Sequence, residues 1–254
     1  MTHNPLTPGQ LAGKTAFVSG SSRGIGAATI GYFAEAGARV AINYRNKEAR
    51  AIKLRDGIVA NGGSAIAVGA DLTDYETIAA LRDTLAAEFG SLDILVLNAS
   101  GGMEAGMGDD YAMRLNRDAQ VNLLQTLRPL LHEGSRVVFV TSHQAHFIHQ
   151  KETMDDYAPV ALSKRAGEDA LRELIPGLAD QGIGFTVVSG DMIEGTVTAT
   201  LLDRSNPGAL ESRKAAVGKL YNVEEFAAEV ASAAVDPIPE NNTRLVGDIS
   251  DFLS

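Results

Sequence analysis

Short apolar runs rich in valine and isoleucine recur along the chain, separated by longer stretches whose apolar residues return at helical spacing. That alternation fits parallel strands buried on both faces, with helices crossing over between them. Strands are predicted at 15–19, 40–43, 65–70, 94–97, 136–141, 185–189 and 243–246, and helices at 26–36, 47–61, 74–89, 109–131 and 159–180. Seven such strands make one doubly wound, parallel α/β sheet with helices on both faces. Thr73 with Glu76, and Asn222 with Glu225, have the spacing of capping boxes, which mark helix starts. From 195 to 219 the alternation loosens into small, polar and charged residues around Pro207, and a substrate lid is expected there.

Length adds that the sheet belongs to one domain: 254 residues suit a single wide α/β domain, read here as 13–254 after an amino-terminal tail of residues 1–12. With 45% apolar and 21% charged residues the composition is that of a soluble globule with a substantial core. The balance of 22 basic against 32 acidic residues, net −10, repels polyphosphate backbones and argues against a nucleic-acid partner. The chain has no cysteine, which removes disulfides, thiolate catalysis and cysteine-ligated metals. Its first ten residues are polar and carry neither a signal-peptide core nor a lipidation motif, and no apolar run approaches membrane-spanning length, so a cytoplasmic location is expected.

Candidate chemistry lies at strand ends. Gly20, Gly24 and Gly26 fall between the first strand and the first helix, where a backbone free of side chains turns tightly and lets phosphate approach a helix amino terminus. The second strand ends in Asn43-Tyr44-Arg45, where the adenosine ribose of a dinucleotide would lie. Asn43 carries no charge, whereas Arg45 and Arg23 can neutralise a 2′-phosphate, which favours NADP(H) over NAD(H). Tyr157 precedes Lys164 by seven residues, nearly the same helix face and about 10.5 Å along the axis, a gap that two long side chains close. Pro159 is acceptable in a first helical turn, so Tyr157 can lean in from the loop before it.

Together these motifs resemble the short-chain dehydrogenase/reductase family, from about residue 13 to about residue 196. Ser19 through Gly26, with Ser22, Arg23 and Ile25 between the glycines, resembles the family's phosphate turn, Ser19 replacing threonine. Asp71-Leu72 matches the pair at adenine, and Asn98-Ala99-Ser100 the segment closing the fourth strand, with Leu97 and Ser100 as departures. Asn122 in Val121-Asn122-Leu123 matches the helix asparagine of the proton relay, and Ser142 sits where a catalytic serine is found. Ser189-Gly190 followed by Ile193 resembles the turn at the nicotinamide amide, Ser189 replacing proline. The resemblance implies a Rossmann fold, a homodimer or homotetramer, and Lys164 on the cofactor ribose.

One departure decides which relatives matter. Counting back four residues from Lys164, to the family's usual tyrosine position, gives Val160; the seven-residue separation is instead similar to that of enoyl-acyl carrier protein reductases, and of an NADPH-dependent branch that keeps the ordinary glycine turn. The activity implied is reduction of an enoyl thioester or related conjugated carbonyl, with Tyr157 stabilising the enolate and Lys164 lowering the phenol's proton affinity. A 3-oxoacyl or other carbonyl reductase using Ser142, Tyr157 and Lys164 remains open, as does a cofactor-binding relative without turnover. Ser142 also reads as the end of a strand whose hydroxyl caps backbone groups, and Asn122 as an ordinary buried amide. His143 and Phe147 are expected to line the pocket of a small acyl substrate, Phe147 having a loop anchor as its alternative. His143, His146 and His149 recur every third residue, but they lack the two-histidine helix spacing and a reductase needs no Lewis acid, so no metal site is expected.

Overall fold

All seven strands form in the computed structural model, which describes residues 4–103, 106, 108 and 110–253. They are β1 (Thr15–Val18), β2 (Arg39–Tyr44), β3 (Ser64–Gly69), β4 (Ile94–Leu97), β5 (Arg136–Ser142), β6 (Gly184–Gly190) and β7 (Thr243–Val246). Every pairing is parallel, in the order β3-β2-β1-β4-β5-β6-β7. The unbroken apolar runs have a direct cause: successive side chains of one strand enter two different cores. Ala16 and Val18 pack on one face with α1 (Gly24–Glu35) and its Ile30 and Phe33, while Phe17 between them enters the other face with Leu81 and Leu85 of α3 (Tyr75–Phe89). Burying one such side chain stabilises by about 1.5–3 kcal/mol, so the sheet is held from both sides. The strand order reverses between β1 and β4, which opens a crevice at the strands' carboxyl ends.

The helical stretches differ from expectation where a local group overrides periodicity. α2 (Glu48–Ala60) and α3 form as predicted, but Asp74, not Thr73, caps α3, accepting from the Glu76 amide at 2.9 Å. Thr73 is taken up by Asp71, whose carboxylate accepts from both its amide and its hydroxyl. The capping box at Asn222 forms in both halves and starts α11 (Val223–Ala233). The stretch 109–131, of which Asp109 lies outside the described residues, is segmented: α4 (Tyr111–Met113), a π turn over Arg114–Asp118, α5 (Ala119–Leu127) and a final 3₁₀ turn containing Pro129. Likewise 159–180 divides into α7 (Ala158–Arg172) and α8 (Ile175–Ala179), Pro176 standing at the start of the second.

Three segments were not anticipated. Residues 195–219 carry two helices, α9 (Val197–Ser205) and α10 (Ala209–Val217), the first capped by Thr196 through the Ala199 amide at 3.1 Å. A four-residue helix, α6 (His143–His146), follows β5, with Ser142 accepting from the Ala145 amide. The amino-terminal tail is built into the fold from Asn4 onward: Leu6 and Leu11 are buried in the α1 core, and the Asn4 amide donates to the Tyr32 carbonyl. Among the described residues no helix is long and apolar enough to cross a membrane.

Candidate active site

At the crevice the first feature is a cradle. Gly20 and Gly24 take positive φ values of 64° and 55°, which glycine adopts without strain. Gly26 has no room for a side chain: a Cβ there would lie 2.7 Å from Asn98 Nδ2 and 2.8 Å from the Gly20 carbonyl. Ser19 Oγ accepts from the amides of Asn98 and Ala99 at 2.8 and 2.9 Å, locking the end of β4 to the turn. Arg23, at the start of α1, provides no side-chain cap, so the helix amino terminus is open to an anion.

A cleft of about 670 Å³ runs from this cradle across the strand ends. At one end stand Arg23, Arg45, Lys47 and Arg50, four cations in a chain of net charge −10. Asp71, Leu72, Asn98, Ala99 and Ser100 line the middle, and Ser142, Tyr157, Lys164 and Ile193 the far end. There the Tyr157 hydroxyl lies 3.1 Å from Ser142 Oγ. The tyrosine is 4% exposed and packs with Val160, Ala161, Met192, Leu202 and Leu220. Its backbone amide donates to the Met154 carbonyl at 2.8 Å, so a turn ahead of α7 fixes the ring while Lys164 projects from the helix itself. The loop position expected for Tyr157 is what the structure has.

Electrostatics depart from expectation in one respect. Burial pushes the Tyr157 phenol above its ordinary value, and the hydrogen bond to Ser142 offsets only part of this. The net direction is opposite to that expected from the charge of Lys164. Burial also lowers Lys164, to about 8, with Glu168 acting against it. Both shifts have the same origin, since desolvation disfavours a phenolate and an ammonium alike.

A family model described as "Enoyl-(Acyl carrier protein) reductase" matches residues 20–237. The chain belongs to the short-chain dehydrogenase/reductase family. It is 30% identical over 205 residues to versicolorin reductase 1 of Dothistroma septosporum, covering 78% of this chain and 76% of that protein. A probable tetrahydroxynaphthalene reductase of Zymoseptoria tritici is 32% identical over 186 residues, covering 71% and 68%. Among solved structures, a short-chain dehydrogenase of Burkholderia cenocepacia in complex with NADP is similar at a TM-score of 0.77 and 28% identity, over 93% of this chain and 97% of that one.

In this short-chain dehydrogenase/reductase several expected site residues lie off the cleft or are engaged with other parts of the protein. Asn122 lies outside the cleft, half-buried, and accepts from Thr126 Oγ1 at 3.3 Å. The inward asparagine is Asn116 on the π turn, 2% exposed, donating to the Gly101 carbonyl at 2.8 Å and to Ser163 Oγ at 2.9 Å. Helical phase could have found it: Leu115, Ala119 and Leu123 mark the buried stripe, on which Asn116 and Gln120 lie and Asn122 does not. Gly167 of α7 comes so close to this turn that a Cβ would sit 2.1 Å from the Asn116 carbonyl.

Asn43 borders the cleft, but its amide is engaged within the protein, accepting from the Gly20 amide at 2.9 Å and donating to the Ala70 carbonyl at 3.3 Å. Tyr44 bonds Glu48, and Arg45 bonds the Tyr111 hydroxyl while its guanidinium lies 5.8 Å from that ring's centre. Gly190 is not on the cleft wall; a Cβ there would strike the Phe226 ring at 2.3 Å, so it lets α11 pack against β6. His143 is fully buried behind the wall, its Nδ1 2.8 Å from Ser189 Oγ and its Nε2 3.1 Å from the Val246 carbonyl. The serine in proline's place therefore has a partner. Phe147 stacks on Phe252 at 5.5 Å and lines no part of the cleft, so the loop-anchor reading describes it. His146 bonds Glu168 and His149 is exposed, so the three histidines do not converge. Sequence reasoning missed Gln144, which borders the cleft two residues after Ser142, and Arg50 and Thr198.

Proposed function

We propose that the protein is an NADP(H)-dependent reductase of a carbonyl group on an apolar small molecule, with Ser142, Tyr157 and Lys164 as its catalytic residues. The observation that carries this reading is the 3.1 Å contact between the Tyr157 hydroxyl and Ser142 Oγ, in a cleft shared with Lys164 and the glycine cradle. The chain's residues fit the cofactor: the cradle excludes side chains where a pyrophosphate needs close backbone approach, and Arg23, Arg45, Lys47 and Arg50 suit a 2′-phosphate. NADPH, when bound, supplies the hydride. Ser142 Oγ and the Tyr157 hydroxyl hold the carbonyl oxygen between them, and Tyr157 gives that oxygen its proton. Lys164 holds ribose hydroxyls, and its positive charge favours release of the phenolic proton. Asn116 fixes Gly101 and Ser163 beside Lys164. The helices α9 and α10 act as the lid, since Thr196, Val197, Ala199 and Leu202 border the cleft and Leu202 packs in the apolar cluster around Tyr157.

A second reading, reduction of a double bond conjugated to a carbonyl, is favoured by the seven residues between Tyr157 and Lys164 and by the description of the matching family model. Ser142 tips the balance toward the carbonyl, because an enolate needs one donor and this site offers two. The names of the relatives, reductases of versicolorin and of tetrahydroxynaphthalene, suit a polycyclic or aromatic ketone better than a fatty thioester. Purified protein is assayed with NADPH against aromatic ketones, acetoacetyl thioesters and crotonyl thioesters. Oxidation with a ketone substrate is expected; turnover confined to the crotonyl thioester would overturn the first reading in favour of the second.

A further inference from the structure

Glu168 stands one helical turn after Lys164 on α7, and its carboxylate has no solvent exposure. The reduction as described makes no use of it. A buried carboxylate costs several kcal/mol unless its oxygens are met, so its neighbours are informative. His146 Nδ1 on α6 lies 2.8 Å from Oε1 and 3.0 Å from Oε2. Arg172 Nε donates to Oε1 at 2.9 Å, and Arg165 stands 3.8 Å from the same atom. These partners are anchored in turn. Arg172 donates to Thr243 Oγ1 at 2.6 Å and to the Asn241 carbonyl at 3.2 Å, while Arg165 donates to the His146 carbonyl at 2.8 Å and pairs with Asp169. The anion is thus clamped from α6, α7 and the edge at β7.

We propose that Glu168 is a positioning residue for the reduction: its buried negative charge, fixed by His146 and Arg172, keeps Lys164 an ammonium and so maintains the charge that holds the cofactor ribose and polarises Tyr157. This rests on the reductase reading of the cleft. The direction of the electrostatics agrees with the geometry. Burial alone drives Lys164 toward its neutral amine, and Glu168 is the group that opposes it. Burial likewise pushes Glu168 up, but His146 and Arg172 together outweigh it and hold the carboxyl below its ordinary value, so the anion persists. Asp169, next along the helix, is 46% exposed and paired with Arg165, and screening by water leaves it little influence on Lys164.

The test is NADPH affinity without substrate, followed by cofactor fluorescence from neutral to alkaline pH. Wild-type affinity is expected to hold until pH approaches about 8 and to weaken beyond it as Lys164 loses its proton. Glu168→Gln keeps the shape and removes the charge; the onset of weakening moves down by about one pH unit or more, and the alkaline limb of kcat/KM moves with it. Asp169→Asn removes the same charge from the exposed side and leaves the onset where it was. If Glu168→Gln leaves the cationic partners uncompensated and does not fold, Glu168→Gln/Arg172→Gln removes anion and cation together and is expected to move the onset in the same direction. A folded variant of either kind with the wild-type onset overturns the proposal. Wild-type protein that binds no NADPH overturns instead the reading of the cleft.

Discussion

Tyr157→Phe removes one oxygen from the site and leaves the rest in position. The ring is held by Val160, Ala161, Met192 and Leu202, and its backbone by bonds to Met154 and Ala161, none of which involves the hydroxyl. The loss to the fold is one hydrogen bond to Ser142, about 0.5–1.5 kcal/mol net, equivalent to a few degrees in Tm for a chain of this size. The loss to the chemistry is the proton donor, about 10²–10⁴ in rate or about 3–5 kcal/mol in the barrier. The two magnitudes separate cleanly, so a fall in turnover of about a hundredfold or more should accompany a small change in Tm and an unchanged NADPH affinity. Single-turnover NADPH oxidation at saturating ketone measures the first, thermal melting the second, and cofactor titration the third. A second substitution sharpens the case. Val160→Tyr in the Tyr157→Phe background restores the family's usual spacing, but Val160 is 3% exposed and its Cγ2 lies 3.1 Å from where a Gly102 Cβ would be, so a phenol meets backbone at a cost of about 1–3 kcal/mol. Turnover retained within about threefold in Tyr157→Phe would refute the assignment of Tyr157, and no recovery is expected on adding Val160→Tyr.

Two further outcomes follow from charge. Arg45→Ala/Lys47→Ala is expected to weaken NADPH binding about tenfold or more while NADH binding stays the same, since a charge-assisted bond to phosphate contributes about 1.5–3 kcal/mol; equal losses for both cofactors, measured by titration, would remove the basis for the NADP preference. Burial lowers His143 from 6.5 to about 4. Between those values the unfolded chain carries an imidazole proton that the folded one refuses, so the residue's contribution is whole above pH 6.5 and is lost as pH falls toward 4, about 3 kcal/mol in all. Urea melts of wild type and His143→Gln over that range should converge as the pH drops, and parallel curves would contradict this origin.

What could be read from the chain was what repeats. The strands were legible because burial on two faces leaves an unbroken apolar run such as Ala16-Phe17-Val18, whose length and neighbours distinguish it from a helix. The glycine cradle was legible because positive φ at Gly20 and Gly24 and the close approach at Gly26 each require glycine. What escaped depended on contacts between residues far apart. Asn116 was within reach of its helical phase, but the π turn on which it sits lies against Gly167, 51 positions on, and that contact no local pattern announces. His143 and Phe147 look like pocket residues in a loop after a strand; they are buried because Ser189, Val246 and Phe252 arrive from β6, β7 and the carboxyl end. The two helices over 195–219 hid for a different reason. α10 buries no residue at all, so its helical periodicity is faint, whereas α9 buries only Ala199 and Leu202 within nine residues, too short a stripe to stand out.

The seven-residue spacing has a structural consequence beyond which residue carries the proton. A tyrosine four residues before Lys164 would stand on the first turn of α7, and its backbone would move with that helix. Tyr157 instead ends the turn closed by its amide on Met154, so its hydroxyl is aimed by that turn and by Ser142. The helix turn thereby freed carries Val160 and Ala161, which join Met192, Leu202 and Leu220 in one apolar wall, with Met103, Ile148 and Met154 packed against it. Of these, Met192 and Leu202 also border the cleft, and a methionine there repacks around irregular shapes at little cost. Gln144 is a polar side chain that borders the same cleft, two residues beyond Ser142. The helix position that elsewhere supplies the tyrosine is thus given to an apolar residue that packs beside Tyr157.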